Sequence, residues 1–301
     1  MHMKKIIITG GSGFIGTLLT QELLRRGYVV VILDTRMSRI QHEHLESHIV
    51  DTSRDNLDSK WFTDVYGIIN LAGVPIFGRF TKKYKDLIYR SRIDTTKKLI
   101  ETISKLSQKP QVIVSASAVG YYGNAFGKSA TEQDPAGTDF LARVCVDWEQ
   151  SALQAEQQGI RTVILRTAHV IGSAGLLGTL VPLFKKWIGG YFGNGMQHMP
   201  WIGANDLVSM YIAGIENTAM DGVYNTAVGN PTQKDFMKTI ARAVGAPITW
   251  RIPTFVAWIM YLGFADALTV DTVIDNTKIK STGFTYTETD LYDVVMKSIN
   301  P

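Results

Sequence analysis

The sequence is poor in cysteine, and this limits the class of protein that it can encode. Cys145 is its single cysteine. An intrachain disulfide is therefore excluded, and so is a secreted scaffold held together by disulfides. We expect a cytoplasmic protein, in which Cys145 is a small buried apolar side chain on a helix.

Long apolar runs and dense blocks of one charge are also missing. The longest apolar stretch, residues 255–270, contains Asp266 and is short for a membrane-spanning helix. The net charge is only +4 without a Lys/Arg block, so we predict no membrane and no nucleic-acid partner. The 6 histidines lack metal-ligand spacing, and we predict no metal site.

The most informative segment that is present is residues 4–16, KKIIITGGSGFIG. Its isoleucine run predicts a strand buried on both faces, and the periodic apolar residues that follow predict a helix. Glycines at three-residue intervals between them would let backbone N–H groups approach a pyrophosphate at the helix start. The alternative is an ordinary strand–turn–helix with glycines for close packing. The cofactor contacts predicted here are Gly10, Ser12, Gly13, Phe14, Ile15 and Gly16.

A second apolar run, residues 29–33, ends in Asp34, and the charges at this strand end bear on the choice of cofactor. A carboxylate at Asp34 would accept a hydrogen bond from a ribose 2′-hydroxyl and favour NAD. Arg36 could instead bind a 2′-phosphate with two parallel hydrogen bonds and favour NADP. The alternative for Arg36 is a solvated loop charge.

Strands and helices alternate through the first half of the chain, which is typical of a parallel sheet. We predict an α/β protein with a Rossmann-type doubly wound parallel sheet and a smaller, mixed, mainly helical C-terminal substrate lobe. The predicted dinucleotide-binding domain comprises residues 1–167 and about 204–228, and the lobe comprises about 168–203 and 229–301. The ligand would lie in the cleft outside the strand ends. The predicted elements that matter below are a third strand at 48–51 and helices at about 82–106 and 138–157.

Three motifs carry a resemblance to the extended short-chain dehydrogenase/reductase superfamily. They are Thr9–Gly16, Asn70-Leu71-Ala72-Gly73 and the serine strand Ser115–Ser117. The chain resembles more closely the atypical branch of bacterial sugar-epimerase-like "epimerase family proteins". Residues that carry this closer match include Arg90-Ser91-Arg92, Tyr121-Tyr122-Gly123, Asp147-Trp148-Glu149 and Trp201-Ile202.

The resemblance implies NAD(P) binding and a hydride transfer, or an epimerisation that begins with one. Ser117 aligns with the superfamily's catalytic serine. The Tyr-x-x-x-Lys pair is missing, because Phe140 and Val144 stand at its two positions. Tyr121 or Tyr122 could supply a phenol instead, and we expect Tyr122 to face the cleft.

The resemblance also adds cofactor contacts and favours NADP, with NAD as the alternative. Asp51 resembles the acid that contacts adenine, although it could equally cap a turn. His169 lies where the nicotinamide amide is expected. We expect Arg92 on a solvated helix face, and Arg166 either in the cleft or paired with a carboxylate such as Glu149. The further predicted cofactor contacts are Leu71, Ala72, Gly73 and Ser115.

Two functions from different classes follow from these residues. The first is an NAD(P)-dependent oxidoreductase or epimerase that acts on an unidentified small molecule, for example a nucleotide sugar or a carbonyl compound. The second is a non-catalytic NAD(P)-binding sensor, which the missing tyrosine and lysine motivate. The chain could be a monomer or a homodimer.

Overall fold

The computed structural model describes residues 3–76, 80–125, 127–256 and 270–300. Its centre is a sheet of seven parallel strands in the order β3-β2-β1-β4-β5-β7-β11. The strands are β1 (Lys5–Thr9), β2 (Val29–Asp34), β3 (Leu45–Ile49), β4 (Val65–Asn70), β5 (Val112–Ala118), β7 (Arg161–Thr167) and β11 (Gly222–Asn225). The order reverses between β1 and β4, which puts a ligand crevice at the carboxyl ends of these two strands.

Helices cover both faces of this sheet, which explains why its central strands are apolar throughout. Helices α1 (Phe14–Arg25) and α5 (Ala204–Glu216) pack together on one face, and α2 (Lys82–Ser104) and α3 (Phe140–Leu153) pack together on the other. Ile6 and Ile8 belong to the core under α1, whereas Ile7 belongs to the core on the opposite face. Because successive side chains of a strand point to opposite faces of the sheet, β1 contributes to both cores.

The remaining helices and strands lie outside the seven-stranded sheet. They are α4 (Leu176–Lys185), α6 (Gln233–Ala243), α7 (Thr277–Ser281), α8 (Leu291–Ile299), β6 (Ser129–Ala130), β8 (His169–Ile171), β9 (Gly190–Phe192), β10 (Trp201–Gly203), β12 (Trp250–Ile252) and β13 (Val273–Ile274). The short strands form three parallel pairs, β10 with β8, β12 with β9 and β13 with β6. Phe184, Trp201 and Phe236 are buried in a separate apolar cluster here.

The doubly wound parallel sheet that the sequence predicts is confirmed, and some element bounds are corrected. The third strand ends at Ile49 rather than at Asp51, so Asp51 lies in the loop after it. The helix predicted over 138–157 is shorter, because a 3-10 turn over Glu156–Gln158 follows it. The division into two domains stays a prediction.

None of the helices among the described residues is long and apolar enough to span a membrane. Most of the apolar stretch at 255–270, namely residues 257–269, lies outside the described residues.

Candidate functional site

A cleft of about 1910 Å³ opens at the carboxyl ends of the central strands. The loops after β1, β2 and β4 form one wall, and residues of β8, α4, β9 and β12 form another. Most of the predicted cofactor contacts line this cleft. They are Gly10, Gly13, Phe14, Ile15, Gly16, Asp34, Arg36, Asp51, Leu71, Ala72, Gly73 and His169.

The glycine loop, residues 10–16, needs glycine for steric reasons. Gly10 has φ +72°, and a Cβ there would lie 3.0 Å from the backbone nitrogen of Ala72. A Cβ on Gly16 would overlap the carbonyl oxygen of Gly10. The loops after β1 and β4 therefore meet backbone to backbone. The missing side chains also let a ligand approach the main chain closely.

The start of α1 leaves its backbone donors open toward the cleft. Gly13 is the N-cap residue, no side chain caps the helix, and its first turn contains no acidic residue. The first N–H groups of a helix have no partner inside the helix and attract an anion. This arrangement fits the pyrophosphate of a dinucleotide.

Asp34 is turned toward the glycine loop. Its Oδ2 accepts a hydrogen bond from the Ser12 backbone N–H at 2.9 Å, and its Oδ1 accepts one from the Arg36 N–H at 3.3 Å. The Ser12 hydroxyl donates to the carbonyl oxygen of Arg36 at 2.8 Å, so Ser12 joins two loops and its side chain is not among those lining the cleft. The Arg36 side chain is exposed, lines the cleft and forms no ion pair with a described residue.

Asp51 caps the turn that follows β3, which is the second of the two roles considered for it. Its Oδ1 accepts hydrogen bonds from the backbone N–H and the hydroxyl of Ser53, at 3.0 and 2.6 Å. Asp51 also lines the cleft, so the adenine contact stays a prediction.

Ser115 is not positioned to contact a cofactor, and this prediction needs correction. Its side chain is buried behind the cleft, and its Oγ accepts a hydrogen bond from Asn70 Nδ2 at 3.2 Å. The same amide donates to Thr96 Oγ1, and Thr9 Oγ1 donates to Asn70 Oδ1 at 2.7 Å. Ser115 thus belongs to a buried hydrogen-bond network that ties β1, β4 and β5 to α2.

Ser117 lies at the cleft wall and is hydrogen bonded to a buried ion pair. Its hydroxyl donates to Glu149 Oε1 at 2.5 Å. Arg166 Nη2 and Nε donate to the two oxygens of the same carboxylate, at 2.8 and 2.9 Å. Of the two placements considered for Arg166, the structure shows the one in which it pairs with the Glu149 carboxylate. Because the Ser117 hydroxyl donates its hydrogen bond to Glu149, the serine oxygen can still accept a hydrogen bond from a ligand.

The expectation that Tyr122 faces the cleft is wrong. The Tyr122 side chain is only 4% exposed; its hydroxyl donates to Asn225 Oδ1 at 2.7 Å and accepts from Arg166 Nη1 at 2.9 Å. Burial raises the pKa of this phenol to about 12, so at neutral pH it is not a base. The Tyr121 ring is covered by the Arg166 guanidinium, and neither tyrosine lines the cleft.

Apolar groups occupy the place where the superfamily keeps its tyrosine and lysine. Phe140 begins α3 and lines the cleft, with the ring of Phe80 at 6.0 Å between centroids. Val144 is buried one turn later. Lys85 reaches the same wall, with its Nζ 5.2 Å from the Phe140 ring centroid. No tyrosine is among the described residues of this wall that line the cleft.

His169 lies in the cleft as a neutral side chain. It starts β8, and its imidazole makes no hydrogen bond to a described residue. Part of its surface opens onto the cleft, but the enclosing protein lowers its pKa to about 4. The neutral ring offers one donor and one acceptor to a ligand, which suits an amide such as that of nicotinamide.

Arg92 was expected on a solvated helix face, and this is wrong. Its guanidinium lines the cleft, donating to the carbonyl oxygens of Ile88 and Val74 at 3.2 and 3.0 Å. The charge pattern of a long polar helix gave no signal that this arginine turns inward.

Cys145 also lines the cleft, and burial raises the pKa of its thiol to about 12. No group of three or more metal-ligating side chains lies among the residues that the structure describes.

Comparisons with known proteins agree with this geometry. Epimerase family protein YfhF of Bacillus subtilis is 35% identical over 252 residues, which cover 83% of each chain. An epimerase family protein of Staphylococcus haemolyticus is 33% identical over 96% of this chain and 97% of its own. The crystal structure of human epimerase family protein SDR39U1 with NADPH superimposes with a TM-score of 0.86 at 25% identity, covering 98% of this chain and 99% of the human chain. The profile described as NAD dependent epimerase/dehydratase family matches residues 6–227. The chain therefore belongs to the NAD dependent epimerase/dehydratase family, and the resemblance read from its motifs is confirmed.

Proposed function

We propose that this protein binds NADPH in the cleft and catalyses hydride transfer with a small carbonyl compound or the corresponding alcohol. The observation that carries the proposal is the uncapped start of α1 behind a glycine loop that meets the β4 loop backbone to backbone. Pyrophosphate is the ligand that such a helix start favours. Family membership and the NADPH of the human relative support the same cofactor.

The orientation of Asp34 supports NADPH over NADH. Both carboxylate oxygens of Asp34 already accept backbone N–H groups of the surrounding loops. Arg36 lies two residues after Asp34. Its guanidinium is exposed and forms no ion pair with a described residue. An arginine there would bind a 2′-phosphate.

The test of the cofactor is calorimetric titration with NADPH and with NADH. We expect Arg36→Ala to weaken NADPH binding about tenfold or more and to leave NADH binding unchanged, because one charge-assisted pair is lost. Arg39→Ala is the matched control, since Arg39 is an exposed arginine of the same loop that does not line the cleft. Equal NADPH affinity in the wild type and in Arg36→Ala would remove Arg36 from the phosphate site.

The bound cofactor would supply or accept the hydride, and the protein must handle the proton. We assign this to Ser117 and Glu149. When an alcohol is oxidised, its hydroxyl proton passes to Ser117 Oγ while the Ser117 proton passes to Glu149 Oε1, 2.5 Å away. Carbonyl reduction runs the same path in reverse. Arg166 holds the Glu149 carboxylate in position through two hydrogen bonds.

The test of this path is Ser117→Ala, assayed by NADPH oxidation with a carbonyl panel. We expect turnover to fall by about 10²-fold or more, the usual contribution of a general acid or base, with the dissociation constant of NADPH unchanged. Undiminished turnover in Ser117→Ala would remove Ser117 from the mechanism.

One observation favours the second candidate function, an NAD(P)-binding sensor without turnover. The wall that would hold the superfamily's phenol and ammonium is apolar at Phe140 and Val144. A sensor would bind NADPH with the Arg36 dependence given above and oxidise it with no member of the panel. A reproducible loss of NADPH absorbance that depends on the added carbonyl compound would exclude the sensor.

A further inference from the structure

Arg92 is a half-buried cation without a carboxylate partner among the described residues. It forms no ion pair with a described residue, and its hydrogen-bond acceptors there are the neutral carbonyl oxygens of Ile88 and Val74. Burial lowers the pKa of Arg92, and no carboxylate is among the groups that act against this effect. Nothing in the described protein therefore neutralises this charge.

The contrast with Arg166 makes this arrangement informative. Arg166 is buried and forms an ion pair with Glu149, whereas Arg92 is half-buried and forms none with a described residue. Removing a cation from water is costly unless an anion compensates it. Arg92 lines the cleft, so an anion that enters the cleft can provide this compensation.

The surroundings of Arg92 connect it to the proposed reaction site. A Cβ on Gly73 would lie 3.0 Å from Arg92 Cζ, so the guanidinium packs against the loop after β4 that lines the cofactor side of the cleft. Arg92, Cys145 and Ser117 line the same cleft, so the cation and the serine that we assign to the reacting oxygen can face one ligand.

Trp148 supplies a second unpaired donor on this wall. The guanidinium carbon of Arg92 lies 5.2 Å from its ring centroid, and the buried indole Nε1–H has no acceptor among the described residues. Two side chains that pack together therefore both have donor capacity that the described protein does not use. An acceptor-only group such as a carboxylate fits this wall better than a neutral group, which would leave the charge of Arg92 uncompensated.

The cleft also has an apolar lining that comes from α4, α6 and the segment after α4. Its side chains are those of Leu180, Leu183, Ile188 and Met237. A ligand that spans the cleft would place an anion on Arg92 and an apolar body on this lining.

We propose that Arg92 binds the carboxylate of the substrate, and that the substrate is an oxo acid or hydroxy acid with an apolar body. One cation matches the single charge of a carboxylate, and the free guanidinium N–H groups match its two oxygens. The proposal rests on the function proposed above, because it names the substrate of that same site.

The experiment uses the protein saturated with NADPH and a matched pair of probes, 4-phenyl-2-oxobutanoate and its ethyl ester. Binding is measured by calorimetry, and turnover by NADPH oxidation. We expect the wild type to bind the acid at least about tenfold more tightly than the ester. Arg92→Gln should lose at least about tenfold in affinity for the acid, as expected for one charge-assisted contact, and should keep its affinity for the ester and for NADPH.

Two variants separate binding from folding. Arg90→Gln is the control, because Arg90 lines the same cleft but already pairs with Asp86 at 3.0 Å; we expect it to change acid affinity less than about twofold. Arg92→Lys keeps the charge and should recover part of the preference for the acid. If Arg92→Gln does not fold, acid preference in the wild type and its partial retention in Arg92→Lys still support the proposal.

Equal wild-type affinity for acid and ester would overturn the proposal, as would an equal loss of both in Arg92→Gln. These results differ from failure of the proposed function. A protein that does not bind NADPH, or that binds NADPH and acid but never oxidises NADPH, contradicts the proposed reaction. Acid binding that depends on Arg92 would then assign the carboxylate to the ligand of a sensor.

Discussion

At the scale of single residues, His169 connects the cleft to the pH dependence of stability. Its pKa in the folded protein is about 4, below the ordinary 6.5. As the pH falls below 6.5 the unfolded chain takes up this proton first, so the free energy of unfolding falls with pH until about pH 4. Above pH 6.5 the ring is neutral in both states and contributes no slope.

We expect His169→Asn to lose this component of the acid sensitivity. Between pH 8 and pH 5 the wild type should lose up to about 2 kcal/mol more of its unfolding free energy than the variant, from the shift of the one pKa. Urea unfolding of both proteins at the two pH values measures the difference. Identical losses would mean that the folded-state pKa of His169 is not depressed.

Tyr122 is expected to matter for stability rather than for proton transfer. Tyr122→Phe leaves the buried Asn225 Oδ1 without its donor and should cost about 1–3 kcal/mol of unfolding free energy. Tyr121→Phe is the control, because the Tyr121 hydroxyl makes no hydrogen bond to a described residue, and it should cost less than about 0.5 kcal/mol. Urea unfolding and NADPH oxidation are measured on both variants. A Tyr122→Phe protein of normal stability that has lost turnover would instead make Tyr122 catalytic.

The single residues that could be predicted are those at which the backbone leaves no space for a side chain. Gly10 and Gly16 were identified because no other residue type fits their turn. The orientation of neighbouring polar side chains was not predictable. Tyr121 and Tyr122 follow the same strand, and the 3-10 turn over Val119–Tyr122 decides which one is buried. No local pattern records that turn.

At the scale of elements, two glycines inside helices have opposite roles. Gly16 of α1 faces the carbonyl oxygen of Gly10, whereas Gly178 of α4 is exposed and has no atom within 4 Å of an ideal Cβ. Gly178→Ala should raise the free energy of unfolding by about 0.5–1 kcal/mol through helix propensity. Gly16→Ala should lower it by about 1–3 kcal/mol and weaken NADPH binding, because the loop must move.

Thermal unfolding with and without NADPH measures both effects. The proposed role of the glycine loop requires that Gly16→Ala lose more of the NADPH-induced rise in melting temperature than Gly178→Ala. A Gly16→Ala protein with the full rise would contradict it.

The length of an element governed how well it could be predicted. Strands β1 and β2 were recognised from β-branched runs that are buried on both faces. Strands β8, β10 and β12 contain three residues each, which is too short to show a period of two. They exist because each pairs with a partner that is distant in the chain, and pairing of this kind leaves no local signal.

At the scale of the whole molecule, hydrogen bonds join the C-terminal segment to the start of α5, which packs on the seven-stranded sheet. The Glu288 carboxylate accepts hydrogen bonds from the backbone N–H and the side chain of Asn205, at 3.1 and 2.8 Å. Asp206 in turn accepts the backbone N–H groups of Thr287 and Glu288. A Cβ on Gly203 would overlap Glu288 Oε2, so a glycine at this position makes room for the contact.

This contact between the C-terminal segment and α5 could not be predicted from the sequence. No motif around Trp201-Ile202 explains why a glycine follows at position 203. The structure gives the physical reason, namely the space that the Glu288 carboxylate fills. Only the three-dimensional arrangement relates two positions so far apart in the chain.

A double-mutant cycle tests the coupling between these positions. Gly203→Ala should lower the free energy of unfolding by about 1–3 kcal/mol through overlap with Glu288. Glu288→Ala should cost about 1 kcal/mol, because α5 loses the anion that accepts the Asn205 N–H in its first turn. Once the Glu288 side chain is removed, the added methyl group meets no carboxylate. The double variant should therefore be more stable than the sum of the single losses predicts, by about 0.5–3 kcal/mol. Urea unfolding of the four proteins measures this difference, and strictly additive losses would show that Gly203 does not make room for Glu288.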